Sequence, residues 1–370
     1  MAAGNITWSV LMADTREFQQ ILREHIARYP LMCPQDYGKL AYQNEFGPEH
    51  ILCDKETFSL SLQDEWEAVP DDGLPRHPEK IGNNLCRFHL TKTGDLGAAV
   101  SLLTQLCVLT AQKEAGTASG LAENLACLEA LNIPGMADWL AEYRRQGYPA
   151  VHHSPAYRKA YHPHYRLLRT EYAGYFQIFL QIAKLAQAGH AAVLSIDGRC
   201  GSGKTRLAEL IHELFPCNIV HMDDYYVPML CKVHNWAELP GGNIDFSWLI
   251  DEVIVPLQRG EAIVYRPFDC ASGKYRTAAR LPVLPLTIVE GSYSQHPRLT
   301  KYYDLTIFLT CAPDVQVRRL KQREGPHFSS FEQRWIPMEE NYIRTCTPDQ
   351  RSDFFVDTSG FFDSRPDRYN

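Results

Sequence analysis

Two textures follow one another along the 370 residues. Up to about residue 188, apolar residues recur at intervals of three and four, the spacing of one helix face. Phe18, Ile21, Leu22 and Ile26 form such a stripe, with Asp14 or Thr15 as its cap and Pro30 as its stop. Asp36–Phe46, Asp95–Lys113, Ala118–Leu131 and Met136–Arg145 continue the pattern, separated by Gly and Pro. Tyr165–Ala188, rich in aromatic residues, is predicted as one long helix.

After Gly189-His190 the period changes. Short apolar runs alternate with helical stretches: Ala191–Ile196, Asn218–Met222, Ala262–Tyr265, Leu286–Val289 and Leu305–Leu309. That alternation marks an α/β domain with a parallel sheet and crossover helices. The expected organisation is therefore a mostly α-helical domain over residues 1–188 and an α/β domain over 189–370.

Composition adds limits. Apolar residues make up 45% and charged residues 22%, as in an ordinary globular chain. A net charge of −7 gives no global basic field for nucleic acid or an anionic membrane, so neither is expected as a partner. Eleven cysteines, an odd number without a C-x-x-C pair, argue against a zinc site or a disulfide framework. No signal-peptide pattern opens the chain, and the apolar stretch Ala98–Ala111, interrupted by Ser101, Thr104, Gln105 and Thr110, is expected to be too short to span a bilayer. A cytoplasmic protein is the expectation.

The chemistry centres on Gly198-Arg199-Cys200-Gly201-Ser202-Gly203-Lys204-Thr205, which fits G-x-x-x-x-G-K-[ST] between a predicted strand and a predicted amphipathic helix. Gly198, Gly201, Ser202 and Gly203 let backbone N–H groups turn inward as an anion nest. Lys204 reaches outer phosphates, and the Thr205 hydroxyl suits Mg²⁺. ATP and Mg²⁺ are the expected cofactors. Asp223 follows the next strand, where a carboxylate can accept the proton of an attacking hydroxyl. Glu290 ends a buried strand and suits the metal side. Arg318, Arg319 and Arg323 lie on a basic helix that can close over phosphates, with Arg323 the catalytic candidate. Glycines, aromatics and single carboxylates in Leu239–Phe246 and Val264–Cys270 suit a small-molecule pocket. With Tyr226, the substrate-side candidates there are Asp245, Tyr265 and Asp269.

In order, the segments GRCGSGKT, HMDDYY, GGNIDF, VYRPFDC, IVEGSYSQHP with YYDLTIFL, and RRLKQREG with RWIPMEENY resemble the uridine kinase and phosphoribulokinase branch of P-loop kinases, nicotinamide riboside kinases included. The resemblance spans roughly Ala191 to Phe355. It implies a P-loop kinase fold and phosphoryl transfer from ATP to an alcohol. It places Asp223 on the activating acid, Asp245 on the acid that holds a ribose diol, Tyr265 near the acceptor pocket and Glu290 on the Mg²⁺-associated acid. GGNID departs from typical uridine kinases, and the residues after VYRPFDC do not match the base-reading positions, so the acceptor stays open between a nucleoside, another sugar and a vitamin precursor. A non-catalytic ATP sensor is the reading from a different class.

The first domain offers polar stretches rather than motifs. These are Tyr42–His50 and the histidine-rich His152–Tyr165, either a ligand, metal or phosphate site or, more plainly, a polar loop packed against the second domain. The domain is open to covering an acceptor pocket, forming a homo-oligomer or carrying a separate activity.

Overall fold

The structure, a computed structural model, describes residues 5–48, 55–71, 77–113, 116–131, 133–269 and 272–361; Glu49, His50 and Cys270 of the stretches singled out above lie outside these. The chain divides into two compact units. One is residues 1–177 with 363–370, and the other is residues 178–362. The division falls inside a helix, ahead of the Gly189-His190 change of texture.

The first unit contains α1 (Asn5–Arg28), α2 (Pro34–Phe46), α3 (Lys55–Ala68), β1 (Glu79–Gly82), β2 (Leu85–His89), α4 (Leu96–Lys113), α5 (Ala118–Glu129), α6 (Met136–Arg145), α7 (Pro155–Tyr161), β3 (Tyr165–Arg169) and α8 (Thr170–Gly174). α9 (Phe176–Ala186) carries the division. Caps fix several helix starts: Asp95 accepts from Ala98 N–H at 3.1 Å, Thr117 from Gly120 N–H at 3.0 Å and Ser154 from Tyr157 N–H at 3.1 Å. α1 starts well before the cap expected at Asp14 or Thr15.

The expected long helix over Tyr165–Ala188 is corrected. Its first five residues are β3, paired antiparallel to β2 from Leu85↔Arg169 to His89↔Tyr165. Pairing with a segment 80 residues away overrides local propensity. The β1–β2 hairpin turns at Asn83 and Asn84, both at positive φ (55° and 59°), as a two-residue turn requires. The unit is thus helical around a three-stranded antiparallel sheet, β1-β2-β3. α4 is the helix among the described residues that is long and apolar enough to cross a membrane, at 18 residues, which corrects the length assigned to that stretch. One face of it, with Leu102, Leu103, Leu106 and Cys107, is buried within the fold.

The histidine-rich segment goes into a buried polar network. Asp36 accepts from Cys33 N–H (3.1 Å), Ser154 N–H (2.9 Å), the Ser154 hydroxyl (2.7 Å) and His153 Nδ1 (3.2 Å). His153 Nε2 accepts from the Tyr165 hydroxyl at 2.6 Å. One carboxylate thereby ties the starts of α2 and α7 together. Beside it the fully buried Arg87 donates to Gln43 Oε1 (3.2 and 2.9 Å), pairs with Glu79 at 3.5 Å and lies over the Tyr165 ring. Among the described residues no group of three or more His, Cys, Asp or Glu is arranged to hold a metal.

The second unit contains β4 (Ala192–Gly198), α10 (Lys204–Leu214), β5 (Cys217–His221), α11 (Phe246–Leu249), α12 (Val255–Gln258), β6 (Ile263–Tyr265), β7 (Phe268–Asp269), β8 (Lys274–Tyr275), β9 (Ala279–Leu281), β10 (Leu286–Glu290), β11 (Leu305–Thr310), α13 (Pro313–Glu324), α14 (Phe328–Ser330), α15 (Ile336–Cys346), α16 (Pro348–Arg351) and β12 (Phe354–Asp357). Five strands form a parallel sheet in the order β12-β11-β4-β10-β5. Four expected runs are in it. The fifth, Ala262–Tyr265, pairs antiparallel with β9 outside the sheet, and β12 completes the sheet instead. β4 and β10 are buried at every residue, as central strands covered on both faces must be.

The Asp36 network predicts acid lability of the first unit. Burial raises the Asp36 carboxyl, but the donors from His153, Ser154 and Cys33 outweigh it and hold it well below the usual range. Burial holds His153 neutral, lowering it from 6.5 to about 4. Both groups bind protons more weakly folded than unfolded. Their stabilisation is therefore complete above about pH 6.5, and falls as pH drops through 4 and below. Asp36→Asn should cost at least about 2 kcal/mol at pH 7 and flatten that dependence, read from hydrogen exchange of α2 and α7 amides.

Candidate active site

β4 delivers the chain into the glycine loop at the carboxyl edge of the sheet. Gly198 has φ 142°, and a Cβ there would lie 2.0 Å from the Leu309 carbonyl oxygen on β11. Gly201 (φ 75°) and Gly203 (φ 93°) turn the loop, and Gly203 immediately precedes α10. The loop thus leads directly into the positive end of α10, an arrangement suited to phosphate. Lys204 Nζ lies over the loop, donating to the carbonyls of Gly198 (2.8 Å) and Arg199 (3.1 Å). Ser202 is buried under the loop, its carbonyl accepting from the Thr358 hydroxyl at 2.8 Å.

Side chains from distant segments hold this loop in place. The buried Asp197 accepts from Gly198 N–H (2.7 Å), Gln295 N–H (2.9 Å) and the Tyr342 hydroxyl (2.7 Å). Burial still raises its carboxyl to about 6 against those three donors. Arg199 forks onto Glu340 at 2.6 and 2.9 Å and reaches the Thr310 hydroxyl at 2.9 Å. Glu339 accepts from Cys200 N–H at 2.7 Å.

On the opposite lip stand the acids. The Thr205 hydroxyl donates to Glu290 Oε1 at 3.1 Å, and His221 Nδ1 donates to Glu290 Oε2 at 2.8 Å. That bond to Glu290 is the main cause raising the His221 pKa, with burial opposing it. Two hard oxygen donors side by side, with no all-protein cage among the described residues, fit Mg²⁺ held by one or two protein groups together with phosphate oxygens. Asp223 follows β5 and opens onto the cleft. Crowding by protein raises its pKa and Glu290 adds to this, while a Tyr226 hydrogen bond, Lys204 and His221 pull it down.

A cavity of about 870 Å³ joins the glycine loop, Asp223 and Glu290 to an aromatic side formed by Tyr226, Phe268, Phe331 and Trp335. Tyr226 and Trp335 lie parallel, 6.1 Å apart. Asp269 is on the wall, held by the Ser272 hydroxyl at 2.9 Å and by Arg276 at 3.4 Å. Two acceptor-side expectations change. Asp245 is exposed and does not line the cavity; its carboxylate caps α11 by accepting from Trp248 N–H at 3.0 Å. Tyr265 is buried behind the wall, and its hydroxyl reaches Asp224 at 3.4 Å.

α13 separates the three arginines. Arg318 is exposed and off the cavity wall. Arg319 lines the cavity, but its guanidinium donates to the Gly201 carbonyl (3.1 Å), the Thr358 hydroxyl (3.1 Å) and the Thr358 carbonyl (2.8 Å), so it braces the loop. Arg323 lines the cavity, bonded to Glu324 and lying 5.6 Å from the Phe331 ring centroid. Sequence reasoning did not single out Asp224, Arg276, Trp335, Ser292 or Glu339, all of which line the cavity. A usable signal existed for two of them: Trp335, Glu339 and Tyr342 stand at i, i+4 and i+7, one helical stripe.

The glycine loop follows the middle strand of a five-stranded parallel sheet; towards one edge the next strand ends in Glu290 and the one beyond it is followed by Asp223. This is the fold of the P-loop kinases. Neither a family model nor a curated protein matches the sequence. Solved structures similar to it include a possible uridine kinase from Bacillus stearothermophilus, 22% identical over 49% of this chain and 98% of that one, TM-score 0.39. A putative fructose transport system kinase from Silicibacter sp. TM1040 is 19% identical over 49% and 97%, TM-score 0.38. D-glycerate 3-kinase from Cryptococcus neoformans var. grubii is 12% identical over 49% and 95%, TM-score 0.33. At these identities the chemistry has to be read from the side chains themselves.

Gly198→Ala is expected to push β4 and β11 apart where they meet, at a cost of about 2–5 kcal/mol. A lowered melting temperature is the expected outcome; a variant with unchanged melting would show that the close approach is not needed.

Proposed function

We propose that the chain is an ATP-dependent kinase that phosphorylates a hydroxyl of a nucleoside-like small molecule. The observation that carries this reading is that Asp223 shares one cavity wall with Lys204, Thr205 and Glu290, next to the aromatic side chains of Tyr226, Phe268, Phe331 and Trp335. A sensor that only binds ATP has no use for an acceptor-side carboxylate.

In this reading the loop amides and Lys204 hold the phosphates in line with the acceptor. Thr205 and Glu290 would hold Mg²⁺, which when bound neutralises charge on the phosphates. The acceptor oxygen bonds to the terminal phosphorus as the bond to the bridging oxygen of ADP breaks. The hydroxyl proton passes to Asp223. Arg323 is the basic residue of α13 on the wall that does not brace the loop, while Arg318 has no part in this chemistry.

A second reading keeps the reaction and replaces the nucleoside by another sugar or a vitamin precursor. It is favoured by Asp245 being spent as a helix cap, which removes the carboxylate expected to hold a ribose diol. A cytoplasmic setting is proposed with either reading, supported by the free thiols of the nine described cysteines.

ADP release with ATP, Mg²⁺ and a panel of nucleosides, sugars and vitamin precursors tests the proposal, and the lack of any acceptor-stimulated release would favour the sensor. Asp223→Asn should retain ATP binding and lose about 10²–10⁴ in kcat, the usual scale for a general base. Because the working form of Asp223 is ionised and its pKa is raised, activity should fall with acid at a pH above the ordinary carboxylate range. An acid limb that survives unmoved in Asp223→Asn would assign it to another group.

A further inference from the structure

The stripe on α15 touches three parts of the site at once. Trp335, just ahead of the helix, lies against Tyr226. One turn on, the buried Glu339 accepts from Cys200 N–H at 2.7 Å with one oxygen and from the Ser292 hydroxyl with the other. A further turn brings the Tyr342 hydroxyl to Asp197 at 2.7 Å. Cys200 belongs to the phosphate cradle, and Ser292 is two residues beyond Glu290, the metal-side acid.

The geometry between Glu290 and Ser292 is tight. Gly291 has φ 139° with Met222 Cβ 2.7 Å from where its own Cβ would be, and Tyr293 has φ 74°. A turn of this kind persists when its surroundings over-determine it. Gly291 N–H donates to the Ile196 carbonyl on β4 at 3.1 Å, and Ser294 and Ser195 share a hydroxyl bond at 2.9 Å. At the cleft surface, the Glu339 carboxylate spans from the cradle to the turn after Glu290, while Ser292 also approaches the Gly198 carbonyl at 3.4 Å.

We propose that Glu339 is a positioning residue that fixes the spacing between the phosphate cradle and Glu290, so that nucleotide and Mg²⁺ bind cooperatively. This rests on the kinase reading of the cleft. A carboxylate is suited to the task because it accepts two donors with a rigid separation, and outer-shell groups of this kind set the orientation of metal ligands. Glu340 is the natural comparison: it lies next in sequence but faces Arg199, so it braces the loop without touching the segment after Glu290.

The test is the affinity of the full chain for ADP, by calorimetry, in EDTA and in saturating Mg²⁺. The ratio of the two affinities is the Mg²⁺ coupling. Glu339→Ala should keep ADP binding in EDTA within a few-fold and lower the coupling by about tenfold, the scale of lost outer-shell support. Glu339→Gln, which retains one accepting oxygen for Cys200 N–H, should fall between. Glu340→Gln should lower the melting temperature and keep the coupling. Unchanged coupling in a folded Glu339→Ala protein, or equal loss in Glu340→Gln, would overturn the assignment. Absence of ADP binding by the unaltered chain would instead overturn the nucleotide reading itself. If Glu339→Ala does not fold, the Glu339→Gln and Ser292→Ala pair decides, since Ser292→Ala removes the second half of the same bridge and should lower the coupling equally.

Discussion

A loop that is to cradle an anion must hold its shape before the anion arrives. The glycine loop after β4 meets this constraint by borrowing support from segments far away in the chain. Asp197 at its root is tied by Tyr342 and Gln295, Arg199 by Glu340 and Thr310, Cys200 by Glu339, and Gly201 by Arg319 through its carbonyl. Most of these bonds involve an ionised partner, the stronger kind. They leave the loop stiff before any phosphate arrives, which is where preorganised electrostatic stabilisation gains over water.

The same constraint explains what became of two residues expected to act directly. Arg319 sits on the cavity wall, yet its guanidinium is used on Gly201 and Thr358. Asp245 is a helix cap because α11 starts there and its N–H groups need an acceptor. In each case a local backbone demand claims a charged side chain that a motif alone would assign to substrate.

The first unit solves a related problem around a buried cation. Burying Arg87 would be costly unless its donors and charge were matched. Gln43, Glu79 and the face of Tyr165 match them, and Tyr165 links on through His153 to Asp36. The residues His152–Tyr165, conspicuous for their histidines, enter this network through His153, Ser154 and Tyr165.

The sequence by itself determined those features whose cause is local. The strand, glycine turn and helix of the phosphate cradle follow from periodicity and from positions where φ must be positive, and four of the five sheet strands read as short apolar runs because central parallel strands are buried on both faces. Acids at strand ends could be named for the same reason, since open α/β sheets place ligands at that edge. Only the tertiary structure decided the rest. β3 pairs with a strand about 80 residues earlier, β12 joins the sheet while Ala262–Tyr265 does not, and Glu339 reaches an amide 139 residues away. Such contacts depend on which segments the fold brings together, and a side chain's partners at that range leave no mark on the residues beside it.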